Sequence, residues 1–271
     1  MNLLLTERSQ YRYFSITSRI MKVEVVLPVH NEASILRSQT LKIKQHVLTK
    51  NCNNYPITIT IVNNSSTDNT ADIARKLMLE KIIGKYIYVA EKGRGKALKL
   101  AIKQSTADVL FYMDIDLSTD LQHFFPLLDS IMIDHYDIAI GSRLSKESTV
   151  IGRRMLREIL SRGYNRLVRF LFPGIQIKDM QCGFKAFSHS KASFLLPLIK
   201  NNQWFFDTEL LLLASKFKLT INQIPVRWKD DPSSSVNILK TVLEDTWGLI
   251  RMRLTINSKT TDGIIIQKPA K

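Results

Sequence analysis

The chain reads as one α/β domain built on an open, mostly parallel sheet flanked by helices. Three observations predict this. Short apolar, β-branched runs alternate with helix-like segments, polar residues gather where each run ends, and no Pro/Gly/Ser-rich linker, internal repeat or low-complexity tract divides the chain. In such sheets ligands bind beyond the carboxyl ends of the strands, so the polar run ends are the natural place to look for chemistry.

Taken in order, Lys22 to Glu32 (KVEVVLPVHNE) is a strand expected to end at Pro28 and open into a polar loop. ASILRSQTLKIKQHVL follows as a helix. ITITIVNNSSTDNT, from Ile57 to Thr70, is a second strand closing in an Asn/Ser/Asp cluster, with helix-like ADIARKLMLEKI behind it. YIYVAEKGRGKALKLAI combines a strand, a glycine-bearing basic loop and a helix start. DVLFYM is a buried strand that delivers MDIDLSTD, and YDIAIGSR is a strand ending on Arg143. GRRMLREILSRGYNRLVRFLFPG alternates arginines with apolar residues and reads as an amphipathic helix over 153–172, interrupted or not at Gly163. FFDTELLLLA starts another helix, and VNILKTVLEDTWGLIRMRL closes the fold with an apolar stripe and a basic end. Residues 21–257 form the expected domain; 1–20 and 258–271 read as a weakly ordered N-terminal extension and tail.

Composition narrows the partners. The 271 residues carry a net charge of +15, which suits phosphate-bearing substrates, an anionic membrane surface or nucleic acid. No apolar run approaches the roughly 20 residues that cross a bilayer, and the N-terminus shows no signal-peptide pattern. Cys52 and Cys182 are far apart and outside any metal-ligand spacing. Together these imply a cytoplasmic protein, peripherally bound to a membrane at most, with room for an integral-membrane partner subunit. The basic residues lack interleaved aromatic stacking platforms, which argues against nucleic acid.

Asp114 and Asp116 are the residues with the sharpest chemistry. Placed at a strand end with one residue between them, their carboxylates can converge on one hard cation, Mg2+ or Mn2+. The other coordination positions remain for water and for phosphate oxygens. The sheet arithmetic sets Glu32, Asn63, Asn64, Asp68, Lys96, Asp114 and Asp116 along the same rim.

VLPVHNE, IVNNSSTDNT, GRGKA, MDIDLS, GSR, QCGFKAF and WFFDTELL resemble, in order and spacing, the family 2 glycosyltransferases, and among them the polyprenyl-phosphate sugar synthases. The likeness runs from about Val23 to Leu254. It implies a GT-A type, Rossmann-like fold and a nucleotide-sugar donor. On that basis Asp116 holds the metal with Ser118 completing its shell, Asp114 serves the ribose or the outer shell of the metal, and Pro28, His30, Glu32, Asn63 and Asn64 line the nucleoside. Asn63 and Asn64 stand where the family often has an acidic pair. Lys96 faces the diphosphate in preference to Arg94, which also reads as a solvated basic turn. Asp68 reads better as a turn or cap residue than as a ligand.

On the acceptor side the resemblance implies Arg143 and Arg154 at phosphate, and Gln181 and Lys185 on a loop over the sugar. It places Asp207 as the base for a hydroxyl acceptor, or as an orienting residue when the acceptor is a phosphate. Ser235 occupies a place where the family often carries a cation, with Lys229 as a substitute. The expected activity is inverting, metal-dependent transfer of a hexose from UDP-glucose or GDP-mannose to a polyprenyl or dolichyl phosphate at the cytosolic membrane face. Two alternatives stand beside it: a glycan or small hydroxyl acceptor with Asp207 as base, and a noncatalytic nucleotide- or nucleic-acid-binding protein.

Overall fold

A computed structural model describes residues 20–230 and 238–257. The sheet is built from β1 (Val23–Val29), β2 (Ile57–Asn64), β3 (Lys85–Val89), β4 (Val109–Met113), β5 (Ile138–Ser142), β7 (Phe184–Ser188) and β8 (Ile221–Pro225), in the spatial order β3-β2-β1-β4-β7-β5-β8. Every neighbouring pair is parallel except the two made by β7. A small ribbon pairs β6 (Thr149–Ile151) with β9 (Arg227–Lys229). The helices are α1 (Leu36–Lys50), α2 (Thr70–Leu79), α3 (Arg94–Gln104), α4 (Phe124–Met132), α5 (Met155–Leu171), α6 (His189–Leu195), α7 (Phe206–Lys216) and α8 (Ile238–Asn257).

The central strands are apolar without alternation because helices cover both faces. Residues of β1 and β4 divide between two cores by strand parity: Val25, Leu27 and Phe111 pack with α1 and α4, while Val26, Leu110 and Tyr112 pack with α3, α5 and α7. Each buried Leu or Phe contributes about 1.5–3 kcal/mol, so these two layers hold the strand ends in register.

Two expectations change. β1 continues through Pro28, which sits opposite Val62, and ends at Val29. β2 ends on Asn63 and Asn64, the start of the polar cluster expected to close it. The second half of QCGFKAF is no loop: it forms β7, inserted antiparallel between β4 and β5. Its alternation explains this, since Phe184 and Ala186 enter one core and Phe187 the other. Helix α5 runs through Gly163 unbroken. The expectations for residues 1–19, for Ser235 and for the tail from residue 258 lie outside the described residues.

Candidate active site

The carboxyl ends of β1, β2, β4 and β5 share one rim, and antiparallel β7 begins there. Polar contacts tie the loops of that rim together. His30 Nδ1 meets the Asn64 carbonyl at 2.8 Å, and the Glu32 backbone N–H donates to Thr70 Oγ1 at 2.8 Å. Asp68 accepts from the backbone N–H groups of Ala33 and Thr70, a loop-tying role consistent with a turn residue. Asn63 is fully buried, donates to the Tyr86 hydroxyl and accepts from Ser66 N–H. Asn64 accepts from Gly93 N–H at 2.7 Å. The asparagine pair therefore holds the rim together through neutral hydrogen bonds, a task that an acidic pair could perform only as acceptors.

The basic glycine loop supplies the centre of the site. A Cβ on Gly95 would stand 2.8 Å from the Phe206 Cβ and 2.9 Å from the Asn202 carbonyl carbon, so the loop can lie against the segment before α7 only with glycine there. This approach carries Arg94 inward. Its guanidinium donates to Asp114 Oδ1 at 2.9 Å and to Asp207 Oδ2 at 2.5 Å, and lies over the rings of Trp204 and Tyr112. Burial works against its charge, but Asp114 and Asp207 more than offset that and raise its pKa. Arg94 is thus a buried bridge, which overturns its reading as a solvated basic turn. Lys96 points outward, partly exposed and paired with Glu91 at 2.5 Å.

Asp207, buried at the start of α7, also accepts from the Tyr112 hydroxyl and from Lys185 Nζ at 2.8 Å. Burial pushes its carboxyl up to about 6 against the pull of Arg94. Burial likewise pushes the Lys185 ammonium down to about 7. Lys185 is completely enclosed on β7 and also donates to the Cys182 carbonyl. Its ammonium lies beneath the rim, and Asp207 stands between it and Arg94.

Asp114 and Asp116 flank buried Ile115 just beyond β4, each partly open to solvent. A Cβ on Gly183 would fall 1.9 Å from Asp114 Oδ2, so any other residue there would displace the Asp114 carboxylate. Asp116 accepts from the N–H and hydroxyl of Ser118 at 2.9 and 2.8 Å. Among the described residues no group of three or more His, Cys, Asp or Glu side chains is placed to hold a metal by itself. Two hard carboxylates with open neighbours fit Mg2+ or Mn2+ as an incomplete shell that phosphate oxygens and water complete.

On the other side of the rim, Arg143 donates from its backbone N, Nε and Nη2 to Asp179 at 3.0, 2.7 and 2.8 Å. The guanidinium outweighs burial and holds the Asp179 carboxyl down at about 2. Trp228 lies under both Arg143 and Arg153, at 5.7 and 5.5 Å. Arg153 is turned inward and pairs with Glu158, yet its buried Nε has no hydrogen-bond partner. Arg154, the arginine expected at phosphate, is exposed where α5 begins. Gln181 donates to Asp245 on α8, whose carboxyl burial pushes up to about 7.

Arg94, Tyr112, Arg153, Asp179, Trp228 and Asp245 are thus site or supporting residues that motif reading did not select. The arginines carried a visible signal, a cation beside glycines or before a helix. Asp179 and Asp245 carried none, because their partners are far away in the chain.

The model of glycosyl transferase family 2 matches residues 24–195. The chain belongs to that family. The transferase is 32% identical over 252 residues to glycosyltransferase AglD of Haloferax volcanii, which covers 90% of this chain and 40% of that one. It is 29% and 28% identical to the dolichyl-phosphate beta-glucosyltransferases of Drosophila melanogaster and Saccharomyces cerevisiae, spanning 69% and 64% of their lengths. Its fold is that of the GT-A glycosyltransferases. Glucosyl-3-phosphoglycerate synthase from Mycobacterium tuberculosis, crystallised with Mn2+, UDP and glucosyl-3-phosphoglycerate, superposes with a TM-score of 0.65. That match covers 88% of this chain and 82% of the other at 15% identity.

Proposed function

We propose that the transferase moves a hexose from a nucleotide sugar to the phosphate oxygen of a polyprenyl or dolichyl phosphate, inverting the anomeric carbon, at a membrane surface. The observation that carries this reading is the Arg143–Trp228–Arg153 cluster. Two guanidiniums lie against one aromatic ring, and the buried Arg153 Nε has no hydrogen-bond partner. A phosphate oxygen is the acceptor such a donor lacks.

The donor diphosphate belongs at Asp114 and Asp116, where a bound Mg2+ or Mn2+ would supply Lewis-acid stabilisation of the leaving group. Arg94 holds the Asp114 carboxylate in place, and Asp207 and Tyr112 hold Arg94. The acceptor phosphate oxygen attacks the anomeric carbon opposite the nucleotide diphosphate; the new C–O bond forms as the bond to the diphosphate breaks. No base is required, because a phosphate monoester is already anionic near neutral pH. Asp207 suits an orienting role better than a base role, since Arg94, Tyr112 and Lys185 already engage both its oxygens. Glucose as the transferred sugar follows the names of the dolichyl-phosphate relatives, and the mycobacterial synthase of the same fold is crystallised with UDP and Mn2+.

Membrane association rests on α5 and α8. Met155 and Phe170 on α5 are each 80% exposed and Trp247 on α8 is 72% exposed, large apolar side chains left open on two helices that pack on each other. No helix among the described residues is long and apolar enough to cross a membrane; these two helices would lie against the membrane surface rather than through it.

The test is to incubate the purified chain with Mg2+, a polyprenyl phosphate and labelled UDP-glucose or GDP-mannose, and count label in the extracted lipid. Lipid-borne label from one donor establishes reaction and base together. Metal-dependent donor hydrolysis without lipid product would move the acceptor to a hydroxyl compound and return Asp207 to consideration as base.

A further inference from the structure

A cavity of about 390 Å³ opens beside the active site, along one flank of α5. Arg162, Arg166 and Arg169 line it from the helix and Lys178 from the strap leading to β7, and no acidic side chain contributes to the wall. The three arginines follow the helical repeat at i, i+4 and i+7, so one face carries them all. Core-facing Val168 lies on the opposite face, while exposed Ile159 and Phe170, at i−7 and i+4 from Arg166, flank the arginines on their own face.

The walls are built and not incidental. Gln223 on β8 accepts from Lys178 N–H at 2.8 Å and donates to the Gln176 carbonyl at 3.1 Å, which pins the strap. Asn165 on α5 accepts from Met180 N–H at 3.0 Å and joins the strap to the helix. Arg162 spends its Nε on Glu158 and Arg169 reaches the Ile177 carbonyl at 3.4 Å. For Arg166 and Lys178 the described residues provide no carboxylate. Four cations held around one concavity repel each other, and an anion that enters relieves this.

We propose that this cavity is a second anion site, separate from the donor and acceptor positions, that takes the phosphate group of a phosphate ester. Guanidinium forks match phosphate oxygens bidentately. The volume exceeds that of a bare ion, and exposed Ile159 and Phe170 on the arginine-bearing face of α5 suit an ester whose other end is apolar. Leu144 in its wall directly follows Arg143, and Lys178 directly precedes Asp179. An occupied cavity would therefore brace both backbones that carry the acceptor-side ion pair. The inference does not depend on the donor chemistry.

Two probes separate the sources of phosphate: inorganic phosphate, followed by calorimetry, and sedimentation with vesicles of phosphatidylcholine with or without phosphatidylserine. Arg166→Gln with Lys178→Gln is expected to weaken binding of the responding probe about tenfold or more. Lys76→Gln with Lys103→Gln, which removes the same charge from α2 and α3, should weaken it far less. Saturable phosphate binding identifies a soluble phosphate or ester; binding only to phosphatidylserine vesicles identifies a lipid headgroup. Asp116→Ala should bind either probe normally, which separates this site from the catalytic reading. If the full-length chain binds neither probe, or both double variants lose affinity equally, the site is overturned. Should the double variant melt early, Arg166→Gln alone serves, since that side chain is exposed and, among the described residues, has no hydrogen bond or ion pair.

Discussion

Two arginine–aspartate pairs flank the reaction centre, and they are built differently. Arg143 gives three hydrogen bonds to Asp179, whose carboxyl is held at about 2. Arg94 divides its guanidinium between Asp114 and Asp207, and the Asp207 carboxyl rises to about 6. Both aspartates are buried, so burial alone does not explain the contrast. What differs is concentration of charge: one arginine spent entirely on one carboxylate makes a closed pair, whereas one arginine shared by two, beside a buried lysine, leaves a network whose charge shifts near neutral pH. The closed pair is suited to hold geometry and the shared one to respond when a diphosphate or metal arrives at Asp114.

The largest expected effect falls on the open side. Asp116→Ala should lower sugar transfer by about 10³-fold or more while moving the melting temperature little, because Asp116 accepts from Ser118 within its own turn. Transfer within tenfold of the unmodified rate would place the donor phosphates elsewhere. Next comes the closed pair: Asp179→Ala strands a buried guanidinium, at a cost of about 3–5 kcal/mol. For a chain of this size that is on the order of 10 °C in melting temperature, and an unshifted melt would mean that Arg143 finds another anion.

The pairs should also oppose each other in pH. Asp179 is depressed from 3.8 to about 2, so its stabilisation is present above its ordinary value and is lost as pH falls towards about 2. Asp207 is raised from 3.8 to about 6, so the native state favours its proton, and that contribution is lost as pH rises through about 6. Urea midpoints of Asp179→Asn and Asp207→Asn across that range should lose slopes of opposite sign. Equal slopes would dissolve the comparison.

Smaller effects sharpen it on the acceptor side. Arg153→Gln is expected to raise the KM for polyprenyl phosphate about tenfold, the loss of one charged hydrogen bond, with the UDP-glucose KM unchanged. A rise in both would move Arg153 to the donor. Phe170→Ser should reduce vesicle partition several-fold, and no change would remove α5 from the membrane reading.

Alternating runs and strand-end polar clusters made the α/β architecture legible, because period and burial are local properties of a chain. The D-x-D spacing likewise located Asp114 and Asp116, since a strand end alone aims residues i and i+2 together. QCGFKAF misled as a loop: its own pattern carried the strand period, but insertion between β4 and β5 depends on partners 45–79 positions away. Lys96 outranked Arg94 for the same kind of reason. Nothing in GRGKA shows that Gly95 packs on Phe206 and turns Arg94 inward. Pattern along the chain was sufficient for the sheet, the rim and the paired carboxylates. Which arginine meets which carboxylate, and which carboxyl keeps its proton, was decided only by the tertiary fold, because charge and desolvation act through space between segments that never meet in sequence.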